Sequence, residues 1–368
     1  MTDHPWRLRV TREAMHTSFE VILDGDRDER VLKDIAESAV EEAKRLEAQL
    51  SAFIPSSDIC WINETAWQRP VPVEPRLFEL LELAADIHQQ TDGAFDITVG
   101  PLLKCWGFYE GQGAVPTDEE LAAALANVGM GHVELDRERR TVHFRRQGVE
   151  LNLGAIGKGY VVDRAVEHLR AWGISCALVH SGGSSIYALG CPPGLPCPEL
   201  ACPELCRRAE GAGWRIGVLD PRDQSSRVGA FTLRDQALCT SGNLRQSFTH
   251  GGVRYGHLLD PRTGRPAQGM LGATVVSSSA ARADALSTAF FVMGVDDARH
   301  LCARNHEASV LFSEGEAGQM AVHELGCTME KECLEYEDER TAGAEPAGLL
   351  ALGGSPGGDR GPGPGGAH

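Results

Sequence analysis

The chain has no run of about 18 apolar residues, so no membrane-spanning helix is expected. It is also short of positive charge: 35 Lys and Arg stand against 52 Asp and Glu, a formal net charge of −17. Nucleic acid is therefore not an expected partner, because binding it needs clustered cations set against phosphates. The opening MTDHPWRLRV lacks a basic segment followed by an apolar one. No secretory signal is expected, and the cytoplasm is the expected compartment. Zinc-ribbon spacing is missing too. Cys191, Cys197, Cys202 and Cys206 stand six, five and four apart, with no histidine near them. The eleven cysteines are an odd number, and most sit singly in apolar runs. Cys176 in ISCALV and Cys239 in ALCTSG read as small buried hydrophobes, in keeping with a reducing compartment.

What is present is ordinary for a globular protein. The 368 residues are 42% hydrophobic and long enough to bury a large core. A chain this acidic needs local positive charge to act on an anionic substrate, and a metal ion is the simplest source.

Residues 15–23 (MHTSFEVIL) contain a strand-like run. Val31, Leu32, Ile35, Ala39, Ala43, Leu46 and Leu50 recur at helical steps and predict an amphipathic helix over 31–50. Residues 51–66 read as a polar loop. Leu77, Leu80, Leu81, Ala84, Ala85 and His88 mark a second helix, and 118–126 a third, capped by Thr117 or Asp118. Residues 133–152 read as a hairpin with VELDRERRTVHF and VELNLG as its parts. A glycine-rich turn over 154–159 leads into a helix over 160–172. CALVHSGGSSIYALG, WRIGVLDP, RDQALCTSG and ATVVSSSA read as strands, and 281–292 as a helix. Strands come in runs with helices interspersed irregularly, which gives an α+β class. The Pro- and Cys-rich stretch 191–213 reads as a surface insert. One folded unit over 1–335 is expected, followed by a disordered Gly- and Pro-rich tail over 336–368.

Four segments carry candidate chemistry. In LNLGAIGKGYVVD, glycines at 154, 157 and 159 precede a helix, whose free N–H groups suit an anion, and Lys158 adds a cation. The glycines could equally serve only a tight turn. In ARADALSTAF, Asp284 and Thr288 stand one helical turn apart on an otherwise apolar face. Oxygen ligation of Mg²⁺ satisfies both; so does an Asp that caps the helix and a Thr that bonds its own backbone. In HLLDPRTGRP, His257 is a candidate proton acceptor or a contact to a flavin or phosphate, against a purely structural role. In DGAFDITVGPLLKCWGF, Asp96 lies among apolar residues and must be hydrogen-bonded, while Trp106 and Phe108 could flank a planar ligand or fill core.

In their order along the chain these segments resemble the FAD:protein FMN transferases, the ApbE family. MHT, LSAFIPSSDICWIN, GAFDITVGPLLKCWGF, LNLGAIGKGYVVD, TSGN, YGHLLDPRTGRP and ADALST follow one another as that family's blocks do. The resemblance implies an α+β fold with antiparallel or mixed sheets and a nucleotide cleft between two lobes. It implies Mg²⁺-dependent transfer of FMN from FAD to a Ser or Thr hydroxyl of an acceptor protein, with AMP released. It places Asp284, Thr288 and Ala155, the last through its carbonyl, at metal-ligand positions. It places Met15, Phe53, Ala94, Phe95, Asp96, Asn152, Lys158 and His257 at flavin-nucleotide contacts, with Thr240, Ser241 and Gly242 lining the same pocket. His257 is the expected proton acceptor, and Lys158 is expected to stabilise phosphates. This chain departs from the pattern in having Asn152 for an Asp, Phe53 for a common Tyr, and SGGSSIYALG for a Gly-Gly-Asp form. FAD hydrolysis to FMN and AMP, or FAD binding without turnover, would use the same site.

Overall fold

The structure is a computed structural model and describes residues 7–24, 27–109, 111, 113–192, 213–243, 246–305, 308–315 and 319–330. Strands β1 (Arg7–Ala14) and β2 (Thr17–Asp24) form a hairpin, followed by helices α1 (Glu29–Leu50) and α2 (Asp58–Thr65). Strand β3 (Val71–Pro72) precedes α3 (Pro75–Gln90), α4 (Gly100–Cys105) and α5 (Asp118–Leu125). Strands β4 (Val133–Asp136) and β5 (Thr141–Phe144) lead to α6 (Gly157–Ala171), β6 (Ala177–Ser181) and β7 (Ser185–Leu189). Strands β8 (Trp214–Asp220) to β13 (Met270–Ser277) include β9 (Asp223–Leu233), β10 (Gln236–Gly242), β11 (Ser247–His250) and β12 (Val253–Gly256). Helix α7 (Ala280–Asn305), β14 (Ala308–Glu314) and β15 (Met320–Leu325) complete the described elements.

The central sheet runs β1-β2-β6-β7-β10-β13-β14-β15, antiparallel at every pairing. Its two faces are both covered. Phe19, Val21, Val179 and Val275 point to the main core, shared with α1, α3, α6 and α7. Ile22, Leu178, Ile186 and Leu238 point the other way, against the β8–β9 hairpin. The α+β expectation holds, and the two-residue period explains why these strands are apolar almost throughout.

Helix α1 buries Leu32, Ile35, Ala39, Ala43, Leu46 and Leu50, as its periodicity implied, but Val31 is 46% exposed. Thr117 and Glu120 form a full capping box at α5. Other readings need correction. The supposed loop over 51–66 contains α2, because the Ser57 hydroxyl accepts from the Cys60 N–H and Ile59 and Ile62 are buried. The hairpin over 133–152 closes earlier, between β4 and β5, and residue 150 joins the fold by a single parallel bridge to Val99. The run 15–23 begins in a turn: Met15 and His16 both have positive φ, as a two-residue hairpin turn requires. The helix expected over 281–292 is present: it runs from Ala280 to a kink at the non-helical Gly294, and a second helical stretch within α7 goes on to Asn305. The cysteine insert over 191–213, apart from residues 191, 192 and 213, and the tail over 336–368 lie outside the described residues.

Candidate active site

Helices α6 and α7 cross at the base of the site, and their closeness depends on one glycine. A Cβ on Gly159 would lie 2.1 Å from the Ala280 carbonyl oxygen, so only glycine fits. The first turn of α7 is held by Asp163 of α6, whose carboxylate accepts from the Ala280 and Ala281 N–H groups and the Ser279 hydroxyl. Ser279 also accepts from the Arg282 N–H. The start of α7 is thus capped without Asp284, which leaves that carboxylate for other work.

Asp284 is 3% exposed. Its Oδ2 accepts from the Gly159 N–H at 2.9 Å and its Oδ1 from the Ser185 hydroxyl at 3.3 Å. The Lys158 ammonium stands 3.9 Å from Oδ2 and donates to the Gly154 carbonyl at 3.2 Å. Burial pushes the Asp284 carboxyl up from its ordinary pKa, against Lys158 and the two hydrogen bonds. One turn on, the Thr288 hydroxyl is 3.1 Å from the Ser241 hydroxyl, which is 2.7 Å from that of Ser287. Ser287 donates in turn to the Asp284 carbonyl.

These groups sit in a cavity of about 560 Å³. The same cavity is lined by every residue that the resemblance places at the site: Met15, Phe53, Ala94, Phe95, Asp96, Asn152, Ala155, Lys158, Thr240, Ser241, Gly242, His257, Asp284 and Thr288. The glycine run divides in function. Gly154 and Gly157 line the cavity, whereas Gly159 serves the helix crossing.

His257 follows β12, and both its backbone N–H and its Nδ1 lie 3.1 Å from the Gln246 carbonyl oxygen. A carbonyl only accepts, so Nδ1 carries the hydrogen and Nε2 keeps its lone pair. Burial pushes the ring's pKa down to about 4; the Gln246 bond opposes this and Lys158 adds to it. Asp96 is already satisfied: it accepts from the Thr98 N–H and hydroxyl, the Met130 N–H, and pairs with His88 at 3.1 Å. Burial would lower the His88 pKa, but the Asp96 carboxylate holds it above its usual value. Asp96 thus lines the cavity with its carboxylate already bonded to the surrounding wall. Trp106 is core, donating to the Gly264 carbonyl, and Phe108 lies on the cavity wall.

Three contributors escaped the sequence reading. Ser185, from the departing SGGSSIY segment, bonds Asp284. Asp163 was one polar residue in a helical pattern. Tyr109 lines the wall beside Phe53 and Asn152, and it lies one residue past the end of the GAFDITVGPLLKCWGF block. Among the described residues no three His, Cys, Asp or Glu side chains converge, so a cation here would rest on one carboxylate with hydroxyl and carbonyl oxygens. That donor set fits Mg²⁺, which takes oxygen ligands, keeps several waters and often shares its shell with substrate phosphates.

A cavity of this size, with a buried carboxylate and an ammonium at one end, belongs to an enzyme handling a charged ligand. Residues 15–312 match the model of the ApbE family, and the chain belongs to that family. A Klebsiella pneumoniae protein described as FAD:protein FMN transferase is 31% identical over 264 residues, 71% of this chain and 76% of its own length. One so described from Treponema pallidum is 33% identical over 270 residues, 70% of this chain and 72% of its own. The crystal structure of the ApbE protein of Thermotoga maritima matches with a TM-score of 0.74 at 31% identity, covering 87% of this chain and 97% of that one.

Proposed function

We propose that the chain transfers FMN from FAD to a Ser or Thr hydroxyl of an acceptor protein, with Mg²⁺ as cofactor. The observation that supports this most is the gathering of all the family-matched positions around one cavity, with Asp284 and Thr288 at its polar end. The pyrophosphate lies near the start of α6, where Lys158 offsets its charge. Asp284, Thr288 and the Ala155 carbonyl would hold Mg²⁺, which supplies charge neutralisation on the phosphoryl oxygens when bound. The acceptor hydroxyl oxygen forms a bond to the phosphorus on the FMN side, and the bridging P–O bond breaks to release AMP. The hydroxyl proton passes to His257 Nε2, which is unprotonated at neutral pH. A bound diphosphate beside this ring raises its proton affinity from that low resting value.

The test is incubation with FAD, Mg²⁺ and a flavin-acceptor protein, reading covalent, UV-fluorescent flavin on the acceptor. Asp284→Ala is expected to lower labelling by about 10² or more, the scale on which removing a transition-state contact acts. Equal labelling by the variant would sink the metal assignment. FMN and AMP produced at the parent rate with no acceptor present would favour hydrolysis instead.

A further inference from the structure

The cavity wall carries an exposed aromatic surface that the catalytic groups do not use. Phe53 is 52% exposed although it lines the cavity. Tyr109 meets it edge-on, with ring centroids 4.8 Å apart at 61°, and the His16 ring meets it at 6.2 Å and 87°. Neither neighbour lies parallel on the Phe53 ring, and its exposure leaves ring surface on which a planar ligand can stack.

Tyr109 also presents a fixed hydroxyl. Its oxygen accepts from Asn152 Nδ2 at 2.9 Å. Asn152 Oδ1 accepts from the Gly154 N–H at 2.8 Å, which fixes the amide's orientation, since a flip would set two N–H donors against each other. The phenol's own hydrogen has no acceptor among the described residues, and burial keeps it protonated by raising its pKa. A half-used hydroxyl in a cavity wall is a donor awaiting an acceptor. The ring is braced from α4, where the Lys104 ammonium lies 5.7 Å from its centroid and pairs with Glu150.

We propose that Tyr109 is a positioning residue for FAD, donating its hydroxyl to a nitrogen or carbonyl oxygen on the edge of a fused ring stacked on Phe53. The inference rests on the reading that FAD fills this cavity. Both rings of FAD have that chemistry, so riboflavin and AMP serve as separate probes of the flavin and adenine ends.

The experiment measures binding of FAD, riboflavin and AMP to the full chain by calorimetry, with Tyr109→Phe and Tyr109→Ala beside the parent. Tyr109→Phe keeps the ring and the fold and removes only the hydroxyl. It is expected to weaken FAD about 3- to 10-fold, the worth of one hydrogen bond, and Tyr109→Ala roughly 10- to 50-fold. The loss should fall on one probe alone and identify the stacked ring. In labelling assays KM for FAD should rise while kcat stays within about 2-fold, since the group orients the substrate away from the reacting phosphorus. Unchanged FAD binding in both variants overturns the proposal. So does weakening of both probes alike, which would mean a general collapse of the wall. A parent chain that fails to bind FAD overturns this inference and the flavin reading together, whereas a parent that binds and transfers beside indifferent Tyr109 variants overturns this inference alone.

Discussion

Gly159→Ala tests how the site is built. The added methyl would stand 2.1 Å from the Ala280 carbonyl oxygen, 2.5 Å from its carbon and 2.8 Å from the Ala281 nitrogen. All three are backbone atoms in the first turn of α7, itself tied to α6 by Asp163. Ordinary carbon contacts begin near 3.5 Å, so α6 and α7 must part by roughly 1 Å. Overpacking of this kind costs about 1–3 kcal/mol, and contact with backbone rather than a movable side chain puts it at the upper end. Alanine's better helix propensity returns about 1 kcal/mol. A net loss of about 1–2 kcal/mol corresponds to a fall in Tm of roughly 2–8 °C for a domain of this size. The same displacement carries the Gly159 N–H away from Asp284, whose 2.9 Å bond it makes. Misplacing a catalytic group by about 1 Å can cost 10²-fold in rate, and labelling should fall on that scale. Gly157→Ala is the internal control for stability: its methyl would meet only side-chain atoms at ordinary contact distance, the end of Met15 at 3.5 Å and Leu153 Cβ at 3.9 Å. Scanning calorimetry of the two variants decides the matter. If Gly159→Ala melts with the parent, or the two variants melt alike, the crossing is not as described.

Two further expectations follow from buried charge. Asp163→Ala removes the acceptor of two N–H groups and the Ser279 hydroxyl at the start of α7, and should cost about 1–3 kcal/mol in a urea titration. A variant as stable as the parent would show that water replaces the carboxylate. His257, with its pKa lowered from 6.5 to about 4, binds a proton more weakly folded than unfolded. The unfolded chain therefore takes up more protons between those values, and this contribution to stability, complete above pH 6.5, is lost as pH falls toward 4. The urea midpoint of the parent should drop more steeply over that window than that of His257→Asn, and parallel curves would contradict the shift.

Much of the scaffold could be read before folding was considered. Helix α1 announced itself through twenty residues of regular apolar steps, and α5 through its capping box. Helix α2 did not, because eight residues with two buried positions are too few for a period to emerge. The first strand was hidden by its alternation with Arg and Thr, and β9 by its polar start. In the site, the order of the blocks sufficed to choose residues that all proved to line one cavity. What those residues do for one another was less visible. Asp96, read as a ligand contact, lines the cavity and also bonds Thr98, Met130 and His88, which its apolar surroundings in the sequence did not name.

By itself, the sequence determined which residues are chemically able: a carboxylate and a hydroxyl one turn apart, a lysine among glycines, a histidine before a short apolar strand. Those are properties of neighbours along the chain, and local geometry is enough to state them. Only the tertiary structure decided that Gly159 and Asp284, 125 residues apart, share a hydrogen bond, that Ser185 completes the carboxylate's shell, that Asp163 rather than Asp284 serves the helix start, and that Tyr109 stands beside Phe53. Such contacts arise from the close packing of α6 on α7 and the order of strands in the sheet, and no spacing along the chain encodes them.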